Sequence, residues 1–558
     1  MRPSLAARLA APALGLFLLV GCATQRPASP SAAGAGGRTA VLLAVNDVYR
    51  IEGVEKGTVG SMARVRTLRA ELEREHPDLL MLHAGDFLFP SFASRMFEGE
   101  QMVAALNALD GDTAAFDERL VVVFGNHEFD KNKTKDAAML DRRIEESQFR
   151  WLGSNVHFAE GEDGRPLVDG LNLEGSRIFE SGGIRIGIFG ITIPTVGVEY
   201  VESFDGPEDT ARRMTADLRS KGAEVVIALT HLNASDDRDL LENLPAPAGP
   251  DLIIGGHDHE HMEVQAGGRW LFKADADART ATVVRLTLRP DGGLRVEHEL
   301  RPLSGETPRP DPAVQALVDQ WQTKHEQAFC DQAKAGPDCL EEIYGRSRVP
   351  LVAEESKIRG EETNLGDWIA DLMVRTFTDC GAQVAFMNSG SLRLNQDLAA
   401  GEITRRQVEE LFAYPAPLYL LKIDGKTLRQ VAEHATRGWP GSGSWLQVSG
   451  FAYVHDQQGK TARQVTLLTS HGARPVGDDE TILAVTNDYL INPEIGDQDG
   501  YIMLNRNQVV ATCAANTRDL KELTVTALKA AEPQGIGPAT DGRICQPGQT
   551  GPCRAVGN

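Results

Sequence analysis

The stretch Leu120-Val121-Val122-Val123-Phe124-Gly125-Asn126-His127-Glu128-Phe129-Asp130 decides how this chain is read. Its first half is an apolar, largely β-branched run of the kind that forms a buried strand, closed by a glycine. Its second half sets an amide, an imidazole and carboxylates immediately beyond the strand end. Four other runs finish in the same way. Residues 40–45 lead into Asn46-Asp47-Val48-Tyr49, residues 79–83 into Gly85-Asp86, residues 225–229 into Thr230-His231, and residues 252–254 into Gly255-Gly256-His257-Asp258-His259. In layered α/β proteins, ligands gather where loops leave the carboxyl ends of strands. Strand ends that all carry Asp, Asn or His therefore predict an α/β fold with one metal centre assembled from distant sequence. Such mixed donors suit Mn, Zn, Fe or Mg, and a pair of ions can clamp the attacking and leaving oxygens of an in-line displacement at phosphorus.

At 558 residues the chain exceeds one ordinary domain and fits two domains with a tether. The net charge of −22 excludes a nucleic-acid polymer as partner, because that role needs a basic footprint. It leaves room for a small anionic substrate, since metal ions and a few arginines invert the local field. The metal-ligand clusters stop after His259, so a catalytic domain is expected over residues 39–303. Residues 271–302 read as closing strands that turn at Pro290-Asp291-Gly292-Gly293. Residues 304–347 read as a connection, Pro-rich over 304–312 and then helical over 313–327 on the spacing of Val314, Leu317, Val318 and Trp321. A second domain is expected over residues 348–531, with a helix near 365–377 and strands at 382–387 and 418–423. The tail, residues 532–558, is rich in Gly and Pro and is expected to be irregular.

The N-terminus points to export. Arg2 and Arg8 precede an apolar run over residues 9–20, then Leu19-Val20-Gly21-Cys22. A basic start with a short apolar core is a secretory signal, and the run falls short of the ~20 residues that span a bilayer. The ending resembles the lipobox of bacterial lipoproteins. That resemblance implies a signal peptide over residues 1–22, a lipidated Cys22 and, with Ala23 behind it, an outer-membrane anchor facing the periplasm. Residues 23–38 are mostly Ala, Gly, Ser and Pro, a flexible tether. Setting Cys22 aside leaves six cysteines, an even number that suits an oxidising compartment. Cys330 and Cys339 are close in sequence, as are Cys545 and Cys553; local pairing would leave Cys380 with Cys513, one of many connectivities six cysteines allow.

The order of the ligand clusters resembles that of the calcineurin-like metallophosphoesterases. Within them, Gly125-Asn126-His127-Glu128-Phe129-Asp130 and the second domain resemble the 5′-nucleotidase family, over residues 39–528. That family includes bacterial 5′-nucleotidases, UDP-sugar hydrolases and cyclic-nucleotide phosphodiesterases. The resemblance implies a four-layer α/β/β/α sandwich with a second, α+β domain. It implies that Asp86 bridges two divalent ions, that Asp47 and His259 hold the first, and that Asn126, His231 and His257 hold the second. His127 would stabilise phosphoryl oxygens and the leaving group, with Asp130 orienting its ring. One position departs from the family: where His is usual, this chain has Tyr49. Tyr49 is taken as a ligand of the first site, as a partner of a metal-bound water there, or as a substitution that leaves that site open and weaker. His83 and His261 are expected to be structural or to support the ligands.

In the second domain, Asn388-Ser389-Gly390-Ser391-Leu392-Arg393 and Arg359-Gly360-Glu361-Glu362-Thr363-Asn364 resemble the family's phosphate- and base-contacting segments. Arginine suits that task because its planar fork bonds phosphate oxygens bidentately. Tyr414 and Tyr489 fall at the positions of the two aromatic rings that sandwich a base, and Asp499 at a ribose contact. The implied activity is hydrolysis of a nucleoside monophosphate by water activated at the metals, one domain rotating on the other about residues 304–327. The alternatives are a phosphodiesterase or sugar phosphatase on the same fold and, more remotely, a non-catalytic binding lipoprotein.

Overall fold

A computed structural model describes residues 37–492, 500–547 and 552–555, and Cys22 with its signal peptide and most of the tether, as well as Asp499, lie outside the described residues. Residues 38–558 form one compact unit. Two sheets stack face to face in its first half. The larger runs in the order Leu294–Pro302, Thr280–Leu288, Arg38–Val45, Leu80–His83, Leu120–Val123, Arg150–Leu152, Leu173–Glu174. The smaller runs Met262–Ala266, Arg269–Lys273, Leu252–Gly255, Val225–His231, Ile184–Thr192, Ser176–Ser181.

Strand periodicity sorts the side chains into layers. Along Arg38–Val45, Ala40, Leu42 and Ala44 face the second sheet, where they meet Ile186, Ile188, Ile227 and Ile254. Val41, Leu43 and Val45 face the other way, onto Met62, Val65 and Leu68 of the helix Met62–Glu73. The outer face of the smaller sheet is covered by Leu218 and Leu241 from the helices Pro207–Ser220 and Ala234–Asn243. Successive side chains on opposite faces, each buried, produce the continuous apolar runs of a covered parallel sheet. The result is the expected α/β/β/α order of layers.

The strands that carry the candidate ligands are parallel neighbours. Arg38–Val45 pairs with Leu80–His83 and that strand with Leu120–Val123, while Val225–His231 pairs with Leu252–Gly255. Their carboxyl ends therefore open on one side.

The second half contains a sheet ordered Leu418–Asp424, Thr481–Asn487, Val384–Asn388, Leu446–Ser449, between the helices Asn364–Thr376 and Gly425–Arg437. Thr363 caps the first helix through the Gly366 amide, and Asp424 caps the second through Thr427. Cys330–Cys339, Cys380–Cys513 and Cys545–Cys553 form disulfides.

Two segments differ from the sequence reading. The helix expected over 313–327 runs Pro312–Gln332, with Asp311 capping its start and Pro312 in the first turn. Its extra turn is held by Cys330, which packs with Phe92 and Leu340 and is tied to Cys339. The tail is not wholly irregular: Ile544–Cys545 adds a short parallel strand beside Phe451–Asp456. Glu362 anchors this strand, accepting from the amides of Asp541 and Gly542 at 2.9 Å and of Ile544 at 2.8 Å.

Candidate active site

Asp47, Asp86, Asn126, His231, His257 and His259 converge at the carboxyl ends of these strands. Four of them, Asp47, Asp86, His257 and His259, have left-handed backbones with φ of 53°, 58°, 85° and 62°. Non-glycine residues rarely adopt that region, and each instance costs about 1–3 kcal/mol. The sharp turns aim successive carboxylates and imidazoles into one space. Gly85 and Gly125 let two of the loops touch: a Cβ on Gly125 would lie 2.1 Å from Asp86 Oδ1.

The donor atoms are spaced like corners of coordination polyhedra. Donors ~2.1 Å from one ion stand about 3.0 Å apart in octahedral and about 3.4 Å apart in tetrahedral geometry. On one side, Tyr49 Oη is 3.0 Å from Asp86 Oδ2, 2.8 Å from His259 Nε2 and 3.5 Å from Asp47 Oδ1. His259 Nε2 is 3.3 Å from Asp47 Oδ1. On the other side, Asn126 Oδ1 is 3.2 Å from His231 Nε2 and 3.0 Å from His257 Nδ1, and His231 Nε2 is 3.2 Å from Asp86 Oδ2. Asp86 Oδ2 belongs to both groups. Hard oxygens and imidazoles at these separations fit two ions sharing Asp86, and the phenol of Tyr49 completes the first group where the family has an imidazole.

Electrostatics agree with a cation-binding cage. Burial would raise the carboxyl of Asp47, but the imidazoles of His259 and His231 outweigh it and hold the group at about 2. Burial opposes protonation of His231, yet Asp86 and Asp47 push it up to about 10. His259 is likewise pushed up to about 9 against burial, by Glu355 and then Asp47. His257 falls to about 4 through burial and the neighbouring His231. Burial and the two carboxylates drive the phenol of Tyr49 well above its ordinary range. Without ions, protons on two imidazoles balance the carboxylates.

Glu128 braces the cage from behind. Its carboxylate is fully buried and accepts from the amides of Asp86, Phe87, Leu88 and Gly125 at 2.6–3.0 Å, joining the Asp86 and Asn126 loops. His231 Nδ1 donates to the Ala84 carbonyl at 2.7 Å, which turns Nε2 inward. His83 is buried against Phe87 and neither ring nitrogen finds a hydrogen-bond partner, a packing role. His261 lies outside the cage, 3.1 Å from Glu263.

His127 stands at the rim. Its Nδ1 is 2.9 Å from Asp130 Oδ1, its Nε2 lies 4.0 Å from Asp86 Oδ2, and its amide donates to Asp86 Oδ1 at 2.8 Å. The second half of the chain reaches over it. Arg393 Nη2 is 3.3 Å from His127 Nε2, and its buried Nη1 has no protein partner. Tyr414 donates to Asp130 Oδ2 at 2.7 Å. Arg359 is buried, with Nη2 2.6 Å from Glu355.

The loop bearing Arg393 is clasped from below. Arg50 donates to the carbonyls of Arg393 and Leu394 at 2.9 and 2.8 Å, and Arg279 to that of Asn395. Asn388 and Asn487, at the ends of adjacent strands, are joined at 2.9 Å. Tyr489 packs beside the core that contains Trp445 and Leu490. Sequence reading had missed Glu128, Glu355 and Arg50; the i, i+4 spacing of Glu355 and Arg359 was the available sign of the second.

Profiles of two domain families match the chain: calcineurin-like phosphoesterase over residues 40–261 and 5′-nucleotidase C-terminal domain over residues 343–506. The chain therefore joins a calcineurin-like phosphoesterase domain to a 5′-nucleotidase C-terminal domain. It is a metal-dependent hydrolase of phosphoric esters. Human 5′-nucleotidase is 24% identical over 564 residues, covering 91% of this chain and 91% of that protein. The crystal structure of a 5′-nucleotidase precursor from Thermus thermophilus covers 92% of this chain and 100% of its own, with a TM-score of 0.74 and 21% identity. The sulfate thiohydrolase SoxB of Thermus thermophilus shares the fold at a TM-score of 0.66 and 17% identity. That neighbour marks how far chemistry can diverge on a shared family fold.

Proposed function

We propose that this protein acts as a 5′-nucleotidase and releases phosphate from nucleoside monophosphates, using two divalent ions of the Mn, Zn, Fe or Mg class. The observation that carries the reading is Arg393: a guanidinium resting on His127, beside the ligand cage, with one buried donor left over. A buried donor without a partner costs about 1–3 kcal/mol, and a phosphate oxygen would satisfy it.

Asp47, Tyr49, Asp86 and His259 would hold one ion, and Asp86, Asn126, His231 and His257 the other. Bound there, such ions supply Lewis acidity and make hydroxide available near neutral pH. The chain's own groups do the rest. Asp130 fixes the His127 ring through Nδ1, so Nε2 faces the reacting phosphoryl group and can stabilise it or carry a proton to the leaving oxygen. Arg393 and Arg359 offset phosphate charge. Asn388 would border the base and ribose. Tyr414 and Tyr489 serve as rings for the base, a contact worth ~1–3 kcal/mol per stacked base.

The cavity between Tyr49, Arg50, Arg393 and Glu410 measures about 10 Å³, room for roughly one water. A nucleotide does not fit that cavity, and a lift of the second domain from the first, bending at the connection near residues 304–327, would make room for it. We also place the enzyme on the periplasmic side of the outer membrane, held by a lipid on Cys22; the basic, apolar and Leu-Val-Gly-Cys segments support this.

The test is phosphate release from AMP and from ribose 5-phosphate by Mn²⁺-loaded protein. A strong preference for AMP is expected. Equal rates would remove the nucleotide from the reading, and release from diesters alone would replace it with a phosphodiesterase. His127→Ala is expected to lower turnover about 10²–10⁴-fold with metal content unchanged.

A further inference from the structure

Glu355 begins the short helix Glu355–Ile358 in the second domain, yet its carboxylate is buried against the metal cage of the first. A single oxygen, Oε1, lies 2.7 Å from His259 Nδ1 and 2.6 Å from Arg359 Nη2. The contact on Nδ1 fixes the ring so that Nε2 points at Asp47 and Tyr49. Carboxylates behind ligand imidazoles set their orientation and basicity. His231 takes its support from Ala84 of its own domain, whereas His259 takes its support from across the interface.

We propose that Glu355 is a positioning residue for the first metal site, so that this site reaches full affinity when the second domain is docked and Arg359 is in place. The proposal rests on the two-ion reading of the cage. Lifting the second domain withdraws the carboxylate of Glu355, together with its partner Arg359, from His259 in one movement. Metal affinity at the first site and docking of the phosphate-directed arginine are thereby one equilibrium. The second site, built wholly from the first domain, stands outside that coupling.

The experiment is calorimetric titration of metal-stripped full chain with Mn²⁺, comparing wild type with Glu355→Gln. Wild type should show two sites. The variant should keep one at wild-type affinity and bind the other about 10–100-fold more weakly, as loss of such support usually does. The split between sites separates positioning from general loss of structure, which would weaken both. Should Glu355→Gln fold poorly, Glu355→Asp draws the oxygen back from His259 while keeping its charge, and carries the same expectation. Two wild-type sites whose affinities are unchanged in the variants overturn this proposal alone. A wild type that takes up no Mn²⁺ overturns the two-ion reading and the proposal with it.

Discussion

Tyr414 and Asp130 are joined across the domain interface: the phenol donates to Oδ2 at 2.7 Å, while Oδ1 of the same carboxylate holds His127. A residue expected to be a stacking platform is thus also tied to the histidine proposed to face the reacting group. Tyr414→Phe keeps the ring and removes the hydroxyl. Turnover of AMP is expected to fall about tenfold with KM nearly unchanged, the scale of one charge-assisted hydrogen bond. Tyr414→Ala should also raise KM, since stacking goes too. A Phe variant with wild-type turnover would reduce Tyr414 to a stacking surface.

Glu128 leaves four amides without acceptors if it is removed. Glu128→Ala is expected to cost on the order of 3 kcal/mol of stability and to lower metal uptake, because the Asp86 and Asn126 loops lose their common anchor. Urea denaturation of the metal-free protein measures the first effect and metal analysis the second. Wild-type values in both would show that the loops are held elsewhere.

Metal binding should release protons. In the metal-free cage His231 lies at about 10 and His259 at about 9, so both are imidazolium at neutral pH and must lose a proton to ligate. Affinity is expected to climb with pH until about 10, and calorimetry in buffers of different ionisation enthalpy should find at least two protons released. Because both values are raised, their contribution to the metal-free fold is complete below ~6.5 and disappears as pH rises through 9 to 10. Binding without proton release would contradict this charge balance.

Acid should weaken the fold through His325. This ring is 6% exposed among Phe92 and Phe97, and burial, with Arg406 and Arg95 adding to it, lowers it to about 4. A depressed histidine leaves stability intact above ~6.5 and removes it as pH falls toward 4, on the order of 3 kcal/mol in all. His325→Leu should melt with a shallower dependence on pH over that window. Parallel curves for variant and wild type would locate the acid sensitivity elsewhere.

Much of this architecture was legible in the chain. Strands such as Arg38–Val45 and Leu120–Val123 are buried on both faces, so they read as uninterrupted apolar runs, and ligands at their ends stand out. Asn126, His231 and His257 could be found because an amide or imidazole just after a buried strand has few other reasons to be there. Glu355 and Arg50 carry no such mark. Each acts across an interface between segments more than ninety residues apart in sequence, and a charged residue whose partner lies that far away reads as surface. Glu128 was visible within its motif, yet nothing in the sequence gives it a role apart from Asn126, His127 and Asp130. Its work with backbone amides appears only once two loops meet. The extra turn of Pro312–Gln332 was hidden for a similar reason, since Phe92, Leu340 and the Cys330–Cys339 disulfide hold it from outside.

The strand Ile544–Cys545 hangs on Glu362, which lies three residues beyond Arg359 in the same loop. Anyone shortening this protein for crystallisation, or cutting a purification handle from its end, would meet that connection. A protease nick or a fusion joint near residues 541–545 would free Glu362 and slacken the loop that carries Arg359, far from the cut itself.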